Sequence, residues 1–186
     1  MSTSHRSIAS ISNRVVAISI LLVLQIAFSA CFAQTPLPQR FEAVGEGTLA
    51  PKTKFLDENN LPTSIDAFKG KIVVLNLWAT WCAPCIKEMP SLERLASQMP
   101  IDRFAFVAVN QDKGGLAVAK PFLDRLGIRG LSIYSDSAGR LPREYGGRGM
   151  PTTFIIGKSG NVISRLEGSA DWDAKEIVAY LASLAD

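Results

Sequence analysis

Histidine and cysteine are scarce in this sequence: its 186 residues include one histidine and three cysteines. His5 and Cys31 both fall within residues 1–33, which have the pattern of an export signal. The remainder has no histidine and keeps two cysteines, Cys82 and Cys85. It therefore cannot use a Ser-His-Asp or Cys-His mechanism, and two cysteines fall short of a four-ligand structural zinc site. We expect neither a metal site nor a cofactor.

Net charge is also low. The chain has 20 Lys+Arg and 17 Asp+Glu, and without Arg6 and Arg14 of the N-terminal segment 18 basic residues face the same 17 acidic ones. A nearly neutral domain lacks the basic surface that nucleic acid requires, so we expect no nucleic-acid partner. The hydrophobic content of 47% suits a single domain with a substantial core.

The N-terminal segment joins two arginines to an uncharged run over residues 15–33, which is the n-region and h-region pattern of a signal peptide. Three export fates fit it. The segment is cleaved after Ala33, it is lipidated at Cys31 within the lipoprotein-box-like Phe28-Ser29-Ala30-Cys31, or it is retained as a membrane anchor. Each fate places the rest of the chain in the periplasm, where two cysteines can form a disulfide. A buried N-terminal helix is the alternative without export.

We divide the chain into a signal peptide or anchor at residues 1–33, a linker at 34–41 and a folded domain at 42–186. The linker contains Thr35-Pro36-Leu37-Pro38, which is typical of a short, stiff connection.

Hydrophobic periodicity in the folded domain alternates between buried strands and amphipathic helices. Residues 41–70 suggest a hairpin or extended segment with one helical turn near 64–68. Strands are predicted at 72–79, 104–110, 131–134, 152–156 and 162–166, and helices at 84–99, 116–126, 139–145 and around 177–184. This order predicts a mostly parallel sheet covered on both faces and completed by an antiparallel hairpin. Pro90 is expected to kink the first long helix.

A C-x-x-C sequence, Trp81-Cys82-Ala83-Pro84-Cys85, lies where a buried strand is followed by a helix. Free N–H groups and the helix dipole at a helix N-terminus stabilise the thiolate of Cys82, which can then attack a substrate disulfide. Cys85, one turn further in and less exposed, can resolve the mixed disulfide. Pro84 fits the first helical turn, where a missing N–H has no cost.

Two other interpretations of this C-x-x-C remain open at this point. The disulfide could be an inert staple, although so short a loop gains little chain entropy. Alternatively, the two thiols could hold Cu(I) or share zinc between chains.

The residues from Leu75 to Cys85, followed by Lys87-Glu88-Met89-Pro90, resemble the TlpA/ResA-like branch of the thioredoxin superfamily. Gly149-Met150-Pro151-Thr152 resembles the cis-proline loop of that family, and matching motifs run from Phe41 to the C-terminus. The two motifs together are far more specific than a lone C-x-x-C. The resemblance and the element order imply an α/β class, thioredoxin-like fold: a mixed, mostly parallel central sheet flanked by helices, with an N-terminal β extension.

The resemblance also implies roles for individual residues. Cys82 is similar to the nucleophile and Cys85 to the resolving thiol of a redox-active disulfide. Pro151 resembles the cis-proline beside that disulfide, which leaves the Met150 backbone free to pair with substrate. A trans proline that begins a strand is the alternative for Pro151.

Three further residues near the motif have predicted roles. Glu88 resembles an acid close to the active site in this branch, with a solvated helix residue as the alternative. Trp81 is expected to shield the sulfurs or to be a packed aromatic, and Trp78 to lie in the core. The strand carries Asn76 where thioredoxin has a buried acid, so the acceptor for the proton of Cys85 is either Glu88 or water.

Members of this branch are typically exported, often membrane-tethered thiol:disulfide reductases. The resemblance implies protein disulfide substrates in cytochrome c maturation or respiratory copper-site assembly, and a membrane-embedded thiol reductase as electron donor. The neutral Ala83-Pro84 pair between the cysteines favours a reductant, because no side chain there stabilises the thiolate. The competing hypotheses are a copper-handling or chaperone-like binding module that uses the same dithiol without turnover, and a thiol oxidase or isomerase on the same fold.

Overall fold

The computed structural model describes residues 37–38 and 40–185. The predicted signal peptide or anchor at residues 1–33, including Cys31, lies outside this part of the chain, as does most of the first half of the linker. The folded domain can therefore be compared with the sequence predictions element by element.

The strands and helices follow the predicted order. The strands are β1 (Glu42–Ala43), β2 (Phe55–Leu56), β3 (Pro62–Thr63), β4 (Ile72–Trp78), β5 (Phe104–Asn110), β6 (Ile133–Ser135), β7 (Thr152–Ile156) and β8 (Val162–Glu167). The helices are α1 (Ala83–Gln98), α2 (Leu116–Leu126), α3 (Arg140–Glu144) and α4 (Lys175–Ala185), with a 3-10 turn at Ile65–Phe68.

Within the described residues the strands form one sheet in the order β1-β8-β7-β4-β5-β6-β2-β3. The pairs β4–β5 and β5–β6 are parallel, whereas β4–β7, β7–β8, β1–β8, β2–β3 and β2–β6 are antiparallel. The thioredoxin-like fold and the mixed sheet are confirmed, but the prediction of a mostly parallel sheet is wrong for the sheet as a whole. The β-α-β units supply only the parallel pairs, and the final hairpin and the N-terminal β extension add antiparallel strands at both edges.

Alternating residues of β4 build two hydrophobic layers. Ile72, Val74 and Trp78 pack on one face against α1, α2 and α4. On the other face Val73, Leu75 and Leu77 pack against the 3-10 turn and α3. Every residue of β4 is buried, as expected for a strand covered on both sides. This central strand therefore holds the segment that follows it, residues 79–82, in a fixed position at one edge of the sheet.

The ends of the helices agree with the sequence signals. Gly127 follows α2 in the left-handed conformation, with φ of 75°, and its N–H bonds back into the last helical turn. Helix α1 continues through Pro90 to Gln98. Among the described residues we find no helix with the length and apolar character needed to cross a membrane.

Candidate active site

A disulfide joins Cys82 and Cys85 at the N-terminus of α1. Cys82 is the N-cap residue of the helix, and its Sγ accepts a hydrogen bond from the Cys85 backbone N–H at 3.3 Å. The Cys82 N–H bonds to the Ala79 carbonyl at 3.2 Å, which closes a tight turn after β4. The pair thus lies at the predicted strand–helix junction, with Cys82 among the free N–H groups of the first helical turn.

Cys85 is less exposed than Cys82, as the sequence predicted. Cys82 is 5% exposed, whereas Cys85 is fully buried. Ala83 and Pro84 are exposed, and Trp81 is 67% exposed, so its ring lies on the surface next to Cys82. Trp81 is therefore not a packed aromatic of the core.

The Met150–Pro151 peptide bond is cis, and the alternative of a trans proline is wrong. Met150 is half-buried and packs against the hydrophobic cluster that contains both cysteines. The Pro151 carbonyl accepts a hydrogen bond from Gly168 N–H at 2.8 Å, which fixes the loop before β7 to the end of β8. The structure therefore brings the two sequence motifs, which are far apart in the chain, together at the same edge of the sheet, where Met150 packs against the cluster of Cys82 and Cys85.

Glu88 is buried on the inner side of α1, one helical turn beyond Cys85. One carboxylate oxygen accepts from Asn76 Nδ2 at 2.9 Å, and the other accepts from Ala170 N–H and Trp172 Nε1, each at 3.0 Å. Only 2% of Glu88 is exposed, so the interpretation of this residue as a solvated helix residue is wrong. The carboxylate links β4, α1 and the loop before α4.

Burial raises the pKa of Glu88 above its ordinary value of 4.5. The hydrogen bonds from Ala170, Asn76 and Trp172 and the charge of Arg40 oppose this rise without cancelling it. Asn76 also donates to Thr153 Oγ1 at 2.8 Å. Although β4 carries no acid of its own at Asn76, this amide holds an acid supplied by the neighbouring helix.

Sequence reasoning missed a second carboxylate near the motif. Asp112, two residues after β5, accepts hydrogen bonds from both the backbone N–H and the hydroxyl of Thr80, at 2.9 and 2.8 Å. Its position after a strand parallel to β4 was the available signal, because the carboxyl ends of adjacent parallel strands meet at one edge of the sheet.

This arrangement suits thiol–disulfide exchange. It combines a slightly exposed sulfur at a helix N-terminus, a second sulfur behind it and a buried acid of raised pKa one turn away. Within residues 37–38 and 40–185 no cluster of three or more His, Cys, Asp and Glu side chains could hold a metal ion.

The Redoxin family matches residues 45–181 of the chain. A thiol-disulfide oxidoreductase ResA from Bacillus thuringiensis subsp. konkukian (strain 97-27) is 34% identical over 122 residues, which are 66% of this chain and 69% of that relative.

Two solved structures are also similar. A thiol:disulfide interchange protein named DsbE, from Chlorobium tepidum, is 29% identical with a TM-score of 0.66 over 76% of this chain and 99% of its own. An exposed lipoprotein thioredoxin, Etrx1, from Streptococcus pneumoniae strain TIGR4, is 27% identical with a TM-score of 0.61 over 72% of this chain and 100% of its own.

Proposed function

The chain belongs to the Redoxin family and to the TlpA/ResA-like thiol-disulfide oxidoreductases of the thioredoxin fold, and from this membership we propose that Cys82 and Cys85 are the redox pair of an exported protein-disulfide reductase. The observation that carries the proposal is the disulfide at the N-terminus of α1, with Cys82 as N-cap and the more exposed partner. Protein disulfides are the substrates of this class of enzyme.

The reaction consumes the reduced dithiol. The Cys82 thiolate attacks one sulfur of the substrate disulfide, and the substrate's other sulfur leaves as a thiolate that takes up a proton. Cys85 then attacks the Cys82 sulfur in the mixed disulfide. The second substrate thiol is released, and the Cys82–Cys85 disulfide takes the place of the substrate's. Two electrons and two protons pass from enzyme to substrate.

Glu88 is our candidate for the group that takes the proton from Cys85. A carboxyl group with a raised pKa is a better proton acceptor than an ordinary one, and burial is what raises the pKa of Glu88. Its hydrogen bond with Asn76 keeps it on the inner side of α1, the side on which Cys85 is buried. Trp81, Pro84, Met150 and Pro151 complete the proposed site as the surface around the sulfurs.

The direction of electron flow in the proposal is from enzyme to substrate. The residues between the cysteines, Ala83 and Pro84, have no charge and no donor side chain to stabilise the thiolate of the reduced enzyme. A pair without such stabilisation has a lower reduction potential and is a stronger reductant.

We place the folded domain in the periplasm, with residues 1–33 as signal peptide or inner-membrane anchor and 34–41 as linker. The positive start and apolar run of this segment support export, and the similarity to an exposed lipoprotein thioredoxin supports a surface tether, for which Cys31 is the candidate lipid site. A membrane-embedded thiol reductase is the proposed electron donor, and proteins of cytochrome c maturation or respiratory copper-site assembly are the proposed substrates.

Trapping the mixed disulfide tests the proposal. A Cys85→Ser variant lacks the resolving thiol, so it should accumulate covalent complexes with partner proteins through Cys82, and mass spectrometry would identify those partners. The matched Cys82→Ser variant keeps one thiol but should trap far less, since Cys85 is fully buried.

The wild-type reduction potential tests the direction. A potential as high as that of strong periplasmic oxidants would contradict the reductase and favour an oxidase or isomerase. Failure to trap any protein, together with stoichiometric Cu(I) binding by the wild type, would instead favour the binding module.

A further inference from the structure

Asp112 lies at the carboxyl end of β5, next to the turn that leads into the candidate active site. Its side chain is nearly buried and accepts three hydrogen bonds: two from Thr80, and one from Asn110 Nδ2 at 2.6 Å. Its own N–H returns a bond to Asn110 Oδ1 at 3.0 Å. Both carboxylate oxygens are therefore held in place, and one of them binds the backbone two residues before Cys82.

The neighbouring backbone strengthens this connection. Gln111 N–H donates at 2.8 Å to the carbonyl of Trp78, the last residue of β4. The chain after β5 is therefore bonded both to the end of β4 and, through Asp112, to the turn that follows it. Gly115 N–H donates to the Asp112 carbonyl at 2.9 Å, which ties the same residue to the start of α2. The turn from Ala79 to Cys82 thus rests on a rigid support whose side chain is negatively charged.

We infer that Asp112 is a positioning residue for the dithiol: it holds the Thr80–Cys82 turn on the end of β5 and places a fixed negative charge beside it that keeps the pair strongly reducing. The inference rests on the proposed function of Cys82 as the attacking thiol. Asp112 lies outside both sequence motifs, so the inference extends the proposed site by one residue. It also gives the proposed low reduction potential a second cause besides the neutral Ala83-Pro84 pair.

The charge acts on the reduced enzyme. Because successive Cα atoms are about 3.8 Å apart, the carboxylate that binds Thr80 lies on the order of 10 Å from the Cys82 sulfur. At the effective dielectric constant of about 20 near a protein surface, a unit charge at that distance shifts an ionisation equilibrium by about fifteenfold, and screening by salt at up to about 0.1 M lowers this to between about threefold and tenfold. The carboxylate disfavours the thiolate, destabilises the reduced form and so favours donation of electrons.

Other charged groups flank the motif. Lys87 on α1 and Lys113 after Asp112 are exposed, whereas Glu88 is buried on the inner side of α1. Among the residues that the structure describes, Asp112 forms no ion pair that would neutralise it. Its negative charge is therefore held only by neutral donors.

Equilibration of the full-length protein with dithiothreitol tests the inference. Dithiothreitol gives two electrons and two protons to the Cys82–Cys85 disulfide, which becomes two thiols while dithiothreitol forms its own disulfide. The equilibrium is measured at a pH at which Cys82 of the reduced enzyme has released its proton and is largely thiolate, because the charge of Asp112 acts on that form. There the equilibrium constant for this reduction should rise by about threefold to tenfold in Asp112→Asn, and the fraction of Cys82 present as thiolate at a lower pH should rise with it. Asp112→Ser removes the charge without adding an amide donor and carries the same test if Asp112→Asn does not fold.

Thr80→Val is the matched control, since it removes the hydroxyl hydrogen bond and keeps the carboxylate. It should slow the attack on a protein disulfide and leave the equilibrium constant near that of the wild type. The inference is overturned if both Asp112 variants keep the wild-type equilibrium, or if Thr80→Val shifts it as far as they do. A failure of the proposed function is visible separately, as a wild-type dithiol that reduces no protein disulfide.

Discussion

Trp78 and Trp81 lie three residues apart in opposite environments. Trp78 ends β4 and is fully buried, whereas Trp81 is 67% exposed on the turn before Cys82. An exposed indole contributes little to folding, but it offers apolar area that a partner can cover. The difference in exposure separates a residue of the core from a residue of the proposed binding surface.

We expect Trp81→Ala to change the free energy of unfolding by less than about 0.5 kcal/mol, because the residue is at the surface. The same variant should lower kcat/KM for a protein disulfide by about tenfold, since the partner loses apolar contact area. Its rate with oxidised glutathione, which is too small to cover the indole, should change far less. Trp78→Ala, the matched variant, should cost about 3–5 kcal/mol of stability. Equal losses of stability in the two variants, measured by urea denaturation, would contradict this assignment.

Glu88 gives the protein a pH dependence of defined sign. Because burial raises the pKa of Glu88 in the folded state, its contribution to stability is fully present below the ordinary value of 4.5 and is lost as pH rises through the folded value. Three other carboxyls act in the opposite direction, because cationic partners lower their pKa values: Arg165 lowers that of Glu42, Lys69 that of Asp66 and Arg94 that of Asp173.

Glu88→Gln isolates this effect, because the other three carboxyls are common to both proteins. The difference in unfolding free energy between the oxidised wild type and Glu88→Gln should be largest near or below pH 4.5 and should shrink as the pH rises. Urea denaturation over a pH series measures it. A difference that grows with pH would mean that the three donors to the carboxylate outweigh its burial.

The sequence predicted the residues of the motif but not their partners. Glu88 was identified through the resemblance to the TlpA/ResA-like branch, yet its donors Ala170 and Trp172 lie more than 80 positions away in the chain. Asp112 was missed for the same reason, since its contact with Thr80 exists only after β4 and β5 pair in register. Periodicity describes a residue's own element, whereas hydrogen-bond partners depend on how elements are brought together.

At the scale of elements, the start of α2 depends on a glycine. Gly115 is the N-cap residue, with φ of 56° and ψ of −142°, a conformation that other residues rarely adopt. A Cβ added there would lie 2.9 Å from Ser135 Oγ, and Ser135 is itself buried in β6. This close approach lets α2 begin directly against the sheet, next to Asp112.

Gly115→Ala should therefore lower the free energy of unfolding by about 1–3 kcal/mol. Gly149→Ala is the matched control, because an added Cβ there meets no heavy atom within 4 Å and the backbone is not in the left-handed region. The control should be neutral or stabilising by up to about 1 kcal/mol, through the reduced entropy of the unfolded chain. Thermal denaturation of both variants compares them, and an equal loss in the two would contradict the steric argument.

Element types and boundaries were largely predictable. The strand at 104–110 was predicted with the bounds that the structure gives, and α2 ends before Gly127 as its sequence signals indicate. The parallel pairs β4–β5 and β5–β6 and the antiparallel hairpin β7–β8 also followed from the element order. The antiparallel pairing of β7 with β4 did not, because strand periodicity is the same in parallel and antiparallel sheets. The short strands β1, β2 and β3 carry almost no periodic signal, yet they supply most of the antiparallel edge pairs.

At the scale of the whole molecule, the potential of the dithiol and the stability of the fold are linked. Oxidised and reduced protein, each folded and unfolded, form a closed thermodynamic cycle. If the folded pair is a stronger reductant than the same pair in the unfolded chain, the oxidised protein must be more stable than the reduced protein. The ratio of the two redox equilibrium constants, folded and unfolded, equals the ratio of the two unfolding equilibrium constants. Each tenfold factor corresponds to about 1.4 kcal/mol.

We therefore expect an excess of dithiothreitol to lower the urea midpoint of the wild-type protein, while a Cys82→Ser, Cys85→Ser double variant should not respond to it. Asp112→Asn should reduce the difference in unfolding free energy between oxidised and reduced protein. The size of this reduction should match the change in its equilibrium constant with dithiothreitol, expressed as a free energy, because both measurements belong to one cycle. A reduced protein that is more stable than the oxidised one would indicate an oxidant, since stabilisation of the reduced form is what makes a dithiol pair oxidising. A difference that Asp112→Asn leaves unchanged, despite a shifted equilibrium, would place the effect of Asp112 in the unfolded chain rather than in the Thr80–Cys82 turn.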